Sequence, residues 1–128
     1  MQKQINHAVE LYSSGQTQKA LNLFKSLIID YPKEAILYNI SGACYSVLGE
    51  KEDAIDSFTK AVAIKPDYAE AHNSLGVSLQ STKQHKKAVE SFENAISSFS
   101  NYAEAHNNLG NTFKELNQLD KAVTCYKK

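Results

Sequence analysis

The chain has 128 residues, enough for about one ordinary domain. Its 14 lysine and arginine residues are matched by 14 aspartate and glutamate residues, so nothing in the net charge draws it to nucleic acid or to an anionic membrane. No segment has the uninterrupted apolar length that a membrane span or a signal-peptide core requires. We therefore expect a soluble chain that binds neither nucleic acid nor membrane.

The strongest pattern along the chain is a repeat of 34 residues. The segment AEAHNSLG at 69–76 returns as AEAHNNLG at 103–110, and one interval earlier Ala35 opens the looser version AILYNISG. The chain therefore divides into one domain of four units, at about 1–34, 35–68, 69–102 and 103–128, the last of which stops inside its second helix. Four columns keep this register: Gly42, Gly76 and Gly110; Ala20, Ala54, Ala88 and Ala122; Phe24, Phe58, Phe92 and Tyr126; and Pro32, Pro66 and Ser100.

Each unit is predicted to form two amphipathic helices joined by a turn, because apolar residues recur at helical spacing in two stretches. Reciprocal capping starts a helix when a capping side chain stands three residues before a glutamate. This spacing places helix starts near Tyr68 and Tyr102, and it is found in two pairs, Asp67 with Glu70 and Asn101 with Glu104.

The turn inside each unit calls for a residue that accepts a left-handed backbone. Gly15, Gly49 and Asn117 meet this need in units one, two and four. Lys83 breaks the column, and a left-handed lysine is strained by about 1 kcal/mol. The third turn is therefore predicted to be the least stable or to adopt another geometry.

These columns resemble the tetratricopeptide repeat, whose pattern sets an aromatic residue, Leu-Gly, Tyr, Ala, Phe and Pro at fixed offsets. The third unit matches it with His72, Leu75, Gly76, Leu79, Ala88 and Phe92, and the fourth with His106, Leu109, Gly110, Phe113, Ala122 and Tyr126. The resemblance covers the whole chain and implies an all-α solenoid, a right-handed superhelix of helix-turn-helix hairpins with a concave groove. The array is also similar to the repeat domains of the O-linked N-acetylglucosamine transferases.

The repeated columns also have a physical explanation in packing. The glycine and alanine columns have small side chains where two helix backbones must approach closely, and the phenylalanine and tyrosine column fills the space between neighbouring hairpins. A single hairpin cannot bury both of its faces, so the hairpins stack.

The resemblance places the first helix of each hairpin along the groove, with inward residues one, four, eight and eleven places after the first residue of the unit. The groove is then apolar in its N-terminal half and rich in amides and glutamates in its C-terminal half. An asparagine column there suits the backbone of an extended peptide, although asparagine is also a common filler on a solvated face. The residues predicted to bind a peptide are Ile5, Val9, Tyr12, Ile36, Asn39, Glu70, Asn73, Val77, Glu104, Asn107 and Asn111.

Two known uses of the repeat fit this groove less well. The asparagine ladder of the O-linked N-acetylglucosamine transferases lies one residue later, in the column of Asn108, where this chain has Ile40 and Ser74 in the preceding units. The clamp for the C-terminal carboxylate of heat-shock chaperones needs basic residues where this chain has Ile5, Glu70 and Ser74. The groove is mildly acidic instead, which favours a ligand with basic or neutral side chains, although both glutamates could serve only as helix caps.

We expect no catalytic, cofactor or metal site. His72 and His106 occupy equivalent places on successive hairpins, about 10 Å apart, too far to share one metal ion, so both are interpreted as structural. His7 and His85 have no carboxylate or cysteine at ligand spacing, and no phosphate loop, Gly-x-Ser-x-Gly or Cys-x-x-Cys motif is present. The two cysteines, interpreted as packing residues inside helices, fit reduced thiols in a cytoplasmic protein and are Cys44 and Cys125.

Two classes of function remain open. The first is a protein–protein interaction scaffold that binds an extended peptide or partner segment in the groove. The second is the N-terminal substrate-recruiting or oligomerising region of a longer enzyme of the glycosyltransferase, sulfotransferase or oxygenase type. An uncapped apolar flank predicts either a longer chain or self-association with another copy, and it consists of Leu109, Phe113, Leu116, Val123 and Tyr126.

Overall fold

The computed structural model describes the backbone of residues 1–127 and the side chains of residues 1–117. This part of the chain contains seven helices and no strand, so the predicted all-α fold class is confirmed. The helices are α1 (Gln2–Ser13), α2 (Thr17–Asp30), α3 (Ala35–Val47), α4 (Lys51–Ile64), α5 (Ala69–Ser81), α6 (His85–Ser98) and α7 (Ala103–Lys127).

The helices stack in chain order, each on the one before it, from α1 against α2 to α6 against α7. Two further contacts join the first helices of successive hairpins, α3 with α5 and α5 with α7, whereas the second helices α2, α4 and α6 have no comparable contact with one another. The first helices are therefore closer together than the second helices. The array curves accordingly, with α1, α3, α5 and α7 along its inner side.

The turns of the first three hairpins share one backbone geometry. Gly15, Gly49 and Lys83 have φ angles of 85°, 79° and 66°. The next N–H donates to the carbonyl five residues back, as from Gln84 to Leu79 at 2.9 Å, which is a common way to end a helix with a left-handed residue. The predicted left-handed turns are confirmed at both glycines, and Lys83 adopts the same geometry despite its Cβ.

The fourth unit differs from the other three. Helix α7 runs from Ala103 to Lys127 without a turn, so the turn predicted at Asn117 is wrong. A continuous helix avoids the cost of a left-handed asparagine, about 1 kcal/mol, and the surrounding segment ELNQL contains mostly good helix formers. The predictions for the side chains of Ala122, Val123, Cys125 and Tyr126 lie outside the described residues.

Glycine and phenylalanine form the tightest packing inside two of the hairpins. A Cβ on Gly42 would lie 2.6 Å from the ring of Phe58, and one on Gly76 would lie 2.5 Å from the ring of Phe92. The predicted close approach is confirmed at these glycines, and each ring packs within its own hairpin. No described side chain or backbone atom lies within 4 Å of such a Cβ on Gly110, and the prediction stays open there because the side chain of Tyr126 lies outside the described residues.

The column of Tyr38, His72 and His106 holds the loops that precede α3, α5 and α7. The Tyr38 hydroxyl donates to the Pro32 carbonyl at 2.9 Å. His72 Nε2 lies 2.7 Å from the Pro66 carbonyl, and His106 Nε2 lies 2.9 Å from that of Ser100. The structural role predicted for both histidines is thereby confirmed.

The helix starts near Tyr68 and Tyr102 are confirmed, since α5 and α7 begin one residue later. The capping pair of Asp67 and Glu70 is not formed, because Tyr68 is the capping residue of α5 and no side chain caps this helix. The hydrogen bond of His72 to the loop takes its place as the local constraint on the start of α5.

Candidate functional site

Three apolar residues predicted to line the groove are exposed on its inner helices. Val9 on α1, Ile36 on α3 and Val77 on α5 are 37%, 40% and 44% exposed. Tyr12 is half-buried and packs against the core of the first hairpins. The predicted groove positions thus include apolar side chains that the fold itself leaves available.

Ile5 does not belong to the groove surface. It is only 4% exposed and lies in the core with Ala8, Leu21 and Phe24. The reason is its column, which also holds Asn39 and Asn73 and faces the following hairpin. Ile5 is therefore a core residue, and the prediction that it lines the groove is wrong.

The asparagines of this column join neighbouring hairpins. Asn39 Nδ2 donates to the Tyr68 hydroxyl at 3.2 Å, and its Oδ1 is buried without a hydrogen-bond partner among the described residues. Asn73 is 4% exposed and accepts a hydrogen bond from Asn108 Nδ2 at 3.1 Å. One atom of each amide is therefore used in a hydrogen bond between successive hairpins.

The last two asparagines of the predicted set have a different environment. Asn107 and Asn111 are exposed on α7. Their amides have a donor and an acceptor that can pair with a peptide backbone. The exposed members of the predicted set are therefore Val9, Ile36, Glu70, Val77, Glu104, Asn107 and Asn111.

A pocket of about 660 Å³ opens over the first turns of α5 and α7. Its lining combines the two amides that join the hairpins, three aromatic rings and several charged side chains. The residues that line it include Asn39 and Asn73; Tyr68, Phe99 and Tyr102; and Lys65, Asp67, Glu70 and Glu104. Tyr68 and Tyr102 were not predicted as site residues, although they stand one repeat of 34 residues apart in the sequence.

The pKa values of the two pocket tyrosines are raised first by burial and then by the pocket's glutamates. Burial raises the pKa of Tyr68, and the negative charge of Glu70 adds to the rise, while the hydrogen bond from Asn39 opposes it. Burial also raises the pKa of Tyr102, and here both Glu104 and Glu70 contribute. The fields of the two carboxylates therefore overlap at the ring of Tyr102.

Histidine and cysteine chemistry is limited in the described part of the chain. No group of three or more His, Cys, Asp or Glu side chains among residues 1–117 could hold a metal ion. His85 Nδ1 does lie 3.1 Å from Glu115 Oε2, a carboxylate that the sequence analysis did not assign to it. Cys44 is fully buried and burial raises its pKa to about 11, which fits the predicted packing role.

Two further features bear on the predicted partners. Among the helices that the structure describes, none combines the length and the apolar character needed to cross a membrane. On the C-terminal flank, Leu109 packs against the core, Leu116 is half-buried and Phe113 is exposed. Self-association through this flank stays a prediction, because the side chains of Val123 and Tyr126 lie outside the described residues.

Three family models match the sequence, all of them for the tetratricopeptide repeat. They match residues 42–83 (TPR repeat), 69–102 (tetratricopeptide repeat) and 103–128 (tetratricopeptide repeat). No curated protein sequence matches the chain.

Solved structures similar to this chain have the same fold. The Sgt2 TPR domain from Aspergillus fumigatus is 21% identical with a TM-score of 0.89, over 94% of this chain and 81% of that one. MamA is 26% identical with a TM-score of 0.87, over 98% of this chain and 74% of that one. The first TPR of Spaghetti (RPAP3), bound to the HSP90 peptide SRMEEVD, is 18% identical with a TM-score of 0.86, over 88% and 90%.

Proposed function

Because the chain belongs to the tetratricopeptide repeat family, we propose that it is an interaction module that binds an extended segment of a partner protein in its concave groove. The segment lies along the inner helices α1, α3, α5 and α7. The apolar side chains of Val9, Ile36 and Val77 contact its apolar residues, and Asn107 and Asn111 contact its backbone.

The observation that carries this proposal is the open pocket of about 660 Å³ between successive inner helices. Its volume is in the range of about 300–1,000 Å³ that ligand pockets occupy. Exposed Val77 lies on the same inner helix as Glu70 and Asn73, which line the pocket. An extended chain can therefore fill the pocket and continue along an apolar surface.

Similar structures support a groove of this kind. The Spaghetti structure contains an HSP90 peptide, and the second TPR domain of human RPAP3, with a TM-score of 0.81 and 16% identity, is in complex with the HSP70 peptide SGPTIEEVD. Both peptides end in acidic residues. This chain has Glu70 and Glu104 at its pocket, so we propose that its own partner segment is not acidic there.

We assign no catalytic role to this module. The alternative, that it recruits substrates for a longer enzyme of the glycosyltransferase, sulfotransferase or oxygenase type, stays a hypothesis based on resemblance. Under either reading the groove holds a partner segment.

Selection from a random peptide library, followed by affinity measurement, tests the proposal. Val77→Asp puts a charge on the inner surface, and we expect it to weaken the selected peptides about tenfold because an apolar contact is replaced by an unpaired carboxylate. Ile29→Asp is the matched control, since Ile29 is 80% exposed on α2. The proposal is wrong if no peptide is selected, or if both variants bind equally well with the helical circular dichroism intact.

A further inference from the structure

We propose that the pocket over the first turns of α5 and α7 selects a lysine or arginine side chain of the partner segment, which it holds against Tyr102 between the carboxylates of Glu70 and Glu104. This inference rests on the proposed function and specifies the chemistry of the ligand. Its support is the charge of the pocket, the position of the two glutamates and the surroundings of the two tyrosines.

The pocket has an excess of negative charge in a chain that is neutral overall. Among its lining residues, Asp67, Glu70 and Glu104 are acidic and Lys65 is basic, which gives 3 − 1 = 2 negative charges in excess. Among the side chains that the structure describes, neither Glu70 nor Glu104 has a basic nitrogen within 4 Å. A cation from a partner would therefore meet two carboxylates that have no other ion-pair partner there.

Compensation of the helix dipoles does not account for all of this charge. Glu70 and Glu104 lie in the first turns of α5 and α7, where a carboxylate is favourable. Each helix N-terminus carries only about half an elementary positive charge, against a full negative charge on each glutamate. The two helix starts thus leave roughly one negative charge uncompensated between them.

The negative charges of Glu70 and Glu104 are both felt at the side chain of Tyr102. Both raise the pKa of Tyr102, although Glu70 lies on α5 and Glu104 on α7. A cation placed over this ring would be attracted by both carboxylates and by the electron-rich face of the tyrosine.

The preceding unit shows a cation in the equivalent place. Lys65 Nζ lies 5.0 Å from the centre of the Tyr68 ring, at a distance typical of a cation–π contact. One repeat later the residue equivalent to Lys65 is Phe99, whose ring centre lies 5.8 Å from that of Tyr102. The chain itself thus supplies a cation to Tyr68 but an aromatic ring to Tyr102, and the partner supplies the cation there.

The test uses three arrayed pools of random heptapeptides that differ only in the central residue, which is arginine, citrulline or aspartate. Citrulline has the shape of arginine without its charge. We expect the arginine pool to bind about five times more tightly than the citrulline pool, since two partly exposed ion pairs of about 0.5 kcal/mol each contribute roughly this factor, and the aspartate pool to bind most weakly. The arginine preference should shrink at 0.5 M salt.

Two variants separate this inference from the function on which it rests. In Glu70→Gln/Glu104→Gln the arginine preference should fall to within about twofold, as expected when both ion pairs are lost. Phe99→Lys should have the same effect, because an internal ammonium group would compete for Tyr102 as Lys65 does at Tyr68. Glu93→Gln, on the exposed face of α6, is the control and should keep the preference.

Each outcome has one meaning. Equal binding of the arginine and citrulline pools, or an arginine preference that survives the double glutamate variant, overturns the inference and leaves the proposed function intact. Binding of none of the pools contradicts the proposed function itself. Preference for the aspartate pool would show that the pocket takes an acidic segment instead.

Discussion

The ring of Phe92 lies directly on the backbone of Gly76, so that a Cβ on this glycine would stand 2.5 Å from the ring carbon Cε1. Phe92 is fully buried and cannot swing away into solvent. A methyl group at residue 76 must therefore displace one of the two helices of the third hairpin.

We predict that Gly76→Ala destabilises the fold by about 1–3 kcal/mol, the usual cost of an added methyl group in a tight core. Gly110→Ala is the matched control, because among residues 1–117 no atom lies within 4 Å of the added Cβ and the residue lies inside α7. Alanine should stabilise the fold by about 0.5–1 kcal/mol at that position. Urea denaturation of both variants measures the difference, and a loss of stability in Gly110→Ala would show that α7 is not open on this side.

The left-handed backbone of Lys83 can be relieved without removing any packing contact. We predict that Lys83→Gly raises stability by about 0.5–1 kcal/mol, because glycine adopts a φ of 66° without steric cost. Gly49→Ala, at the equivalent turn of the second hairpin, should lower stability by a similar amount. The midpoints of urea denaturation should move in opposite directions, and parallel shifts would contradict the shared turn geometry.

The hydrogen bond of His72 to the Pro66 carbonyl predicts a contrast between two aromatic substitutions. His72→Phe should destabilise the fold by about 1 kcal/mol, since it removes the donor from a largely buried site. His72→Tyr should lose much less, because Tyr38 already reaches the Pro32 carbonyl across the same interval of six residues. Thermal denaturation distinguishes the two, and equal losses would mean that ring volume matters more than the hydrogen bond.

Substitutions of Asn73 and Asn107 should affect different properties, although the repeat places the two residues in one column. Asn73→Ala leaves the Nδ2 of Asn108 without its partner and should cost about 1–3 kcal/mol in stability. Asn107→Ala should change stability by less than about 0.5 kcal/mol, because Asn107 is exposed, and should weaken peptide binding instead. Denaturation and affinity measured on the same two variants would refute this division if the effects were reversed.

Burial of Cys44 predicts a slow reaction with alkylating reagents. Its pKa is raised to about 11, so at pH 8 the thiolate is scarcer than in an exposed cysteine. Iodoacetamide should modify Cys44 only after urea unfolds the chain, as followed by mass spectrometry of its peptide. The contribution of this thiol to stability is present below pH 9 and is lost as the pH rises from 9 toward 11, because the native state holds the proton more tightly. Rapid labelling of the folded chain would contradict the buried position.

The sequence was sufficient to predict the helices and their stacking, because the columns of Gly42, Phe58 and their equivalents repeat the same local packing in each unit. It was insufficient for residues whose environment comes from the next hairpin. Ile5 and Asn73 occupy inward positions by spacing alone, but the following hairpin covers them. The prediction of a turn at Asn117 was wrong for a different reason, because the local sequence there permits a helix as well as a turn.

Some residues of the pocket could be predicted from the sequence, and others could not. The acidic character at Glu70 and Glu104 follows from composition and the register of the repeat. Tyr68 and Tyr102 line the pocket from the loops, and the Tyr68 hydroxyl accepts a hydrogen bond from the amide of Asn39 across the hairpin boundary. Such pairings join residues 29 positions apart and become visible only when the hairpins are stacked.

Among the residues that the structure describes, the contacts between helices run almost entirely from one neighbour to the next, and the buried residues form two separate clusters. An array of this kind can bend along its whole length, because small rotations at the boundaries between successive hairpins add up. The Asn39–Tyr68 hydrogen bond bridges one such boundary on the inner side, where bending closes the coil. Tension applied to the two ends of the array would open these boundaries one after another, and so widen the groove before any single hairpin unravels.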